Sequence, residues 1–162
     1  MRKFFWVAVI ASTSLWGQTS TATYDSEFQA AKKSVEAWMG FRLVIYEDGA
    51  SLALSEARFT ADSIAVSINQ LRSFQSSQEL AQFLAHAAAH ARLGHPERWA
   101  TLAKAVAILT PDRAAKSLEV NTRAELEAAA LPVAGEFMES AGCAPGSCAM
   151  FGLLLRAART PI

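Results

Sequence analysis

The stretch from Ser76 to Gly94 constrains this chain more than any other. Ser76 and Glu79 form an S-x-x-E capping box, in which each end satisfies backbone donors that a helix start leaves orphaned. Leu80, Phe83, Leu84, Ala87 and Ala91 then recur at helical spacing, giving one apolar side, and Gly94 ends the run. An apolar side of this kind is one that other elements of the fold cover.

The remaining pattern supplies those elements. Residues 24–39 read as a helix, with Asp25 or Ser26 as cap, Phe28, Ala31, Val35 and Trp38 on one face, and Gly40 as its stop. Residues 41–46, 51–58 and 62–68 read as short strands, the first two separated by the Glu47-Asp48-Gly49 turn. Ile64, Val66 and Ile68 alternate with small residues, as in a half-buried strand. We expect a small antiparallel sheet or meander there. Further helices are expected over 97–109, over 122–140 with a perturbation at Pro132, and over 149–159; residues 113–121 read as a connector. The fold class is therefore α+β and helix-dominated.

The length of 162 residues suits one domain, and a composition 52% hydrophobic and 19% charged is that of a globular chain. Fifteen basic residues balance fifteen acidic ones, and no basic run or phosphate-cradling glycine loop occurs, so nothing points to nucleic acid. Residues 1–22 have the layout of a secretory signal peptide: Arg2 and Lys3, an apolar stretch from Phe4 to Ala11 extended by Leu15 and Trp16, then small residues. Cleavage after Gly17 and after Ala22 both fit. The apolar run is short of the roughly 20 residues that span a bilayer. The expected mature product is thus a single exported domain, residues 23–162, periplasmic or extracellular and with no stable membrane span. Cys143 and Cys148 bracket a Pro-Gly turn, and export favours a disulfide between them.

All three histidines fall within ten positions. His86 and His90 are four apart on the expected helix, so their imidazoles point the same way, one turn apart. That arrangement grips one zinc ion from a single helix. His95 lies past Gly94 and reads as a helix-end or surface residue.

The wording around the pair resembles a known family. Glu79-Leu80-Ala81-Gln82-Phe83-Leu84-Ala85-His86-Ala87-Ala88-Ala89-His90, continuing to His95, is similar to the E-L-A-x-x-L-A-H-E-x-A-H-x-x-x-x-H helix of the HtpX and CAAX-prenyl-endopeptidase zinc metallopeptidases (metallopeptidase family forty-eight). Glu125-Leu126-Glu127-Ala128-Ala129 resembles that family's E-x-E-A-D, and Met138 to Gly142 its M-x-x-A-G. The resemblance implies a zincin-like domain, a small sheet packed against the histidine helix, and zinc on His86, His90 and Glu125. Glu125 also reads as the cap partner of Thr122, and Glu127 as a solvated residue. Two acids of the family pattern are absent: Ala87 stands at the catalytic glutamate and Ala129 at the aspartate. No catalytic residue is therefore assigned. The implied function is an exported pseudopeptidase that keeps a zinc site and binds a peptide or partner protein. An active endopeptidase of the same family, and a helical binding domain whose histidine pair is structural, are the alternatives.

Overall fold

A computed structural model of the chain describes residues 26–46, 58–59, 62–108, 113–143 and 148–160. The expected leader, the 47–49 turn, most of the expected strand over 51–58 and the Pro145-Gly146 turn lie outside the described residues.

Helix α1 (Ser26–Met39) buries Phe28, Ala31, Val35 and Met39, the three-and-four spacing of a single apolar stripe. Gly40 ends it at φ +74°, a left-handed conformation that favours glycine, and its N–H donates to the Glu36 carbonyl. Strands β1 (Arg42–Tyr46), β2 (Arg58–Phe59) and β3 (Ser63–Ser67) form one sheet in the order β1-β3-β2. The sheet is not the expected antiparallel one. β1 runs parallel to β3, with Leu43 opposite Ile64, and only the short β2 pairs with β3 antiparallel. A parallel pair needs a connection of a dozen or more residues, and residues 47–62 supply it. The expectation of a half-buried last strand also changes. Ile64, Ala65, Val66 and Ser67 are all buried, because β3 is the central strand and is covered on both faces.

Helix α2 (Ile68–Ser73) has no counterpart in the sequence reading, which carried the strand through Ile68. Its start is chemical: the Ser67 hydroxyl accepts a hydrogen bond from the Gln70 N–H at 3.0 Å. Helix α3 (Ser77–Arg92) follows, with Ser76 accepting from the Glu79 N–H at 3.1 Å. The return half of the expected box is displaced by one residue, since the Glu79 carboxylate takes the Gln75 N–H at 2.7 Å. α3 is the centre of the molecule. It packs against α1, β3, α4 (His95–Ile108), α5 (Arg113–Ser140) and α6 (Ala149–Arg159). Its alanines at 81, 85, 87, 88, 89 and 91 are all buried, so small side chains face neighbours on nearly every side.

α5 corrects two expectations. Residues 113–121 are helical rather than a connector, and Thr122 lies inside one continuous helix rather than at a helix start. The helix also carries on through Pro132, which is exposed. Leu126, Ala130 and Phe137 form its buried stripe, and α5 lies along α3. α6 buries Phe151, Leu154, Leu155 and Ala158. Trp38 joins three elements: it meets Phe137 and Phe151 edge-on, at 5.6 and 5.0 Å between ring centroids, and its indole N–H donates to the Phe137 carbonyl. Cys143 and Cys148 form a disulfide, with Cα atoms 4.9 Å apart, between the end of α5 and the start of α6. No helix of the described residues is long and apolar enough to cross a membrane.

Candidate metal centre

His86 and His90 lie on the C-terminal half of α3, on the side that α5 covers. His86 and His90 stack edge-on one turn apart, and their Nε2 atoms are 3.1 Å from each other. A carboxylate from α5 completes the group, and it belongs to Glu127. Its Oε2 is 3.0 Å from His86 Nε2 and 3.5 Å from His90 Nε2.

Glu125 is therefore not the acid that the structure brings to the histidines. It is exposed, and the group of potential metal-holding atoms is His86, His90 and Glu127. The reason is helical phase. Leu126, Ala130 and Phe137 set the stripe of α5 that faces the core. Successive residues turn by about 100°, so Glu127 falls on the flank of that stripe nearer Ala130, while Glu125 falls on the opposite flank and turns to solvent. The capping role considered for Glu125 fails as well, since Thr122 caps nothing within a continuous helix. The expected helix over 122–140 has the same phase, so the apolar spacing of Leu126 and Ala130 is the signal in the sequence that favours Glu127; the choice of Glu125 follows the resemblance.

Burial grades across the site. The side chains of His86 and Glu127 are 39% and 43% exposed, whereas that of His90 is 4% exposed. His95, expected at the surface, is 1% exposed. The turn between α3 and α4 puts it there. Gly94 adopts φ +67°, and the chain reverses so that His95, the first residue of α4, folds back onto His90. The Nδ1 atoms of His90 and His95 are 2.9 Å apart. A positive φ at Gly94 was implicit in its reading as a helix stop; the inward swing of His95 carried no separate signal.

Burial away from water is the chief cause that lowers the pKa of both His90 and His95. For His90 the neighbouring His86 adds to this and Glu127 opposes it; for His95, Arg98 adds. Both rings thus stay neutral at pH values where an exposed histidine takes up a proton, and a neutral ring keeps a lone pair to offer.

The three converging atoms suit a cation. Two imidazole nitrogens and one carboxylate oxygen, all within 4.8 Å of one another, form a nitrogen-and-oxygen set of the kind that catalytic zinc uses. Ligand atoms at about 2.0–2.1 Å from a tetrahedral ion lie about 3.3 Å apart. The observed edges of 3.0, 3.1 and 3.5 Å bracket that spacing. The partly exposed His86 and Glu127 leave the outer side open to solvent, where a further ligand could stand. Ala87 is elsewhere: it is 4% exposed and belongs to the apolar core.

A second contact between the same helices is weaker. Arg92 reaches Glu136 at 3.7 Å, with both side chains mostly exposed, and such pairs contribute little. No family model matches this chain, and no curated protein or solved structure matches it at a significant level. The class defined so far is a helix-dominated α+β domain that presents a two-histidine, one-carboxylate group.

Proposed function

We propose that the chain is an exported zinc-binding protein of metallopeptidase type, with peptide hydrolysis impaired. The observation that carries the reading is the convergence of His86 Nε2, His90 Nε2 and Glu127 Oε2 from two helices onto one partly exposed spot. Zinc held there would act as a Lewis acid toward a ligand in the open position.

The impairment rests on Ala87. The resemblance puts the proton-transferring glutamate at this position, and the chain supplies a methyl group that is 4% exposed. General acid–base assistance is worth about 10²–10⁴-fold, so its loss leaves peptide hydrolysis very slow. Glu127 is no replacement while it serves as a ligand. Binding a peptide or partner protein is then the function left to the site. Strand addition is not the route that the described residues favour, because the strand packed against α3 is β3, the central one. The Cys143–Cys148 disulfide agrees with export.

One observation favours a second reading. His86 and Glu127 at 3.0 Å, and His90 and His95 at 2.9 Å, also satisfy one another as a hydrogen-bonded cluster, as in a helical binding domain with structural histidines. Metal analysis of untagged protein separates the two. We expect about one zinc per chain, lost in His86→Ala and Glu127→Gln and kept in Glu125→Gln. Two histidines and a carboxylate also suit ferrous iron, so iron in place of zinc would correct the metal while keeping the site. Protein that holds no metal would leave the second reading. Chelator-sensitive casein hydrolysis by the unmodified chain would overturn the impairment.

A further inference from the structure

We propose that His95 is a positioning residue for the metal site, accepting the Nδ1–H of His90 and so turning the bare Nε2 of His90 toward His86 and Glu127. This inference rests on the metal-binding reading above and deepens it.

The contact between the two rings is nitrogen to nitrogen at 2.9 Å. Two lone pairs do not meet at that distance, so one of the nitrogens carries the proton. A neutral imidazole holds one N–H, and the choice at Nδ1 decides the state of Nε2. If His95 donates, His90 Nδ1 is the acceptor and His90 Nε2 bears hydrogen. That hydrogen would point into the group formed with His86 and Glu127, and a cation would be excluded. If His90 donates, its Nε2 is a lone pair aimed at the same spot. A bound cation selects the second arrangement, and His95 is then the acceptor that keeps it.

The surroundings make this a built contact. His90 is 3% exposed and His95 1% exposed, so bulk water does not compete for the Nδ1–Nδ1 contact. The Gly94 turn at φ +67° places His95 at the start of α4, directly against the ring. His86 is much more exposed, and among the described residues its Nε2 meets His90 and Glu127. The effect of His95 therefore passes through His90. Groups that orient a metal-bound histidine are typically worth 10–100-fold in metal affinity.

The test uses the full chain, stripped of metal and titrated with zinc against a chromophoric chelator, with circular dichroism to show that each variant is folded. His95→Leu removes the acceptor. His95→Asn keeps an oxygen acceptor near the place of Nδ1. We expect His95→Leu to weaken zinc binding by about 10–100-fold and His95→Asn to restore most of it. Nitrogen NMR of the zinc-loaded unmodified chain should show the proton on His90 Nδ1 and none on His95 Nδ1. Equal weakening in both variants would mean that ring volume matters and the hydrogen bond does not, and the proposal falls. Unweakened binding in His95→Leu overturns it too. If His95→Leu does not fold, the NMR assignment decides, and a proton on His95 Nδ1 is the overturning result. Failure of the metal reading looks different: the unmodified chain then takes up no zinc, or His86→Ala binds as well as it does.

Discussion

At the scale of single residues, the site is decided by which side of α3 each position faces. His86 and His90 meet Glu127 of α5. Ala87 comes one residue after His86, a turn of about 100°, and that step carries it into the apolar core. Its surroundings hold alanines and leucines such as Leu84 and Ala88, each 0% exposed. A glutamate placed at 87 would bring a carboxyl group into this packing. A buried carboxylate without a partner costs several kcal/mol, and the group takes a proton to avoid part of that cost. We therefore expect Ala87→Glu to lower the midpoint of thermal unfolding markedly, with a smaller drop at acid pH, where the carboxyl is neutral. Differential scanning calorimetry at two pH values reads this. An unchanged midpoint at neutral pH would show that position 87 opens toward the metal group after all. Gaining the peptidase glutamate thus requires more than one substitution, because the methyl group at 87 is part of how α3 packs.

At the scale of elements, the turn from α3 to α4 matters more than its length suggests. Gly94 holds φ +67°, and a β-carbon there would meet Glu97 Oε2 at 3.4 Å. An L-residue in the left-handed region costs roughly 1–2 kcal/mol. Gly94→Ala should lower stability by about that amount and, by shifting the α4 start, weaken zinc binding alongside it. Denaturant unfolding and the zinc titration check both halves. A loss of stability with intact zinc affinity would separate the turn from the site. The same elements show what could be read in advance. α1, α3 and α6 are legible because each has an apolar stripe at helical spacing and an ordinary start or stop, as with Ser76 and Gly40. Residues 113–121 read as a connector because Thr122-Arg123-Ala124-Glu125 has the wording of a helix start, yet the chain is helical on both sides of it. The choice of Glu125 over Glu127 as candidate ligand has a different origin: it follows the wording of the resembled motif, whereas the phase set by Leu126 and Ala130 turns Glu127 toward the histidines. The histidine pair survived, because a spacing of four on one helix needs no partner to be recognised. Strand direction did not, because nothing local in residues 42–46 or 63–67 states which way they pair. α2 was missed for a similar reason: Ile68 continues the alternation of the strand while Ser67 caps the helix.

At the scale of the whole molecule, the question is what ties the last two helices to the rest. Two devices act at the same corner. The Cys143–Cys148 disulfide closes a sequence separation of five residues. Loop-closure entropy for so short a loop gives about 2 kcal/mol, less than the roughly 3 kcal/mol of a 15-residue loop. The second device is the aromatic group in which Trp38 from α1 meets Phe137 of α5 and Phe151 of α6. Phe151 is 0% exposed, and truncating such a ring to alanine costs about 3–5 kcal/mol. Packing should therefore outweigh the covalent link. We expect the double variant Cys143→Ser with Cys148→Ser to stay folded and to lose about 2 kcal/mol in denaturant unfolding. Phe151→Ala should lose more than that under the same conditions. The reverse order would mean that the disulfide holds α6 in place and that the aromatic contacts follow from it. In the expected order, the helices around α3 assemble by burial alone, and the disulfide secures a corner already formed. The histidine group, which needs α3, α4 and α5 but not α6, should then keep its zinc affinity when the disulfide is removed.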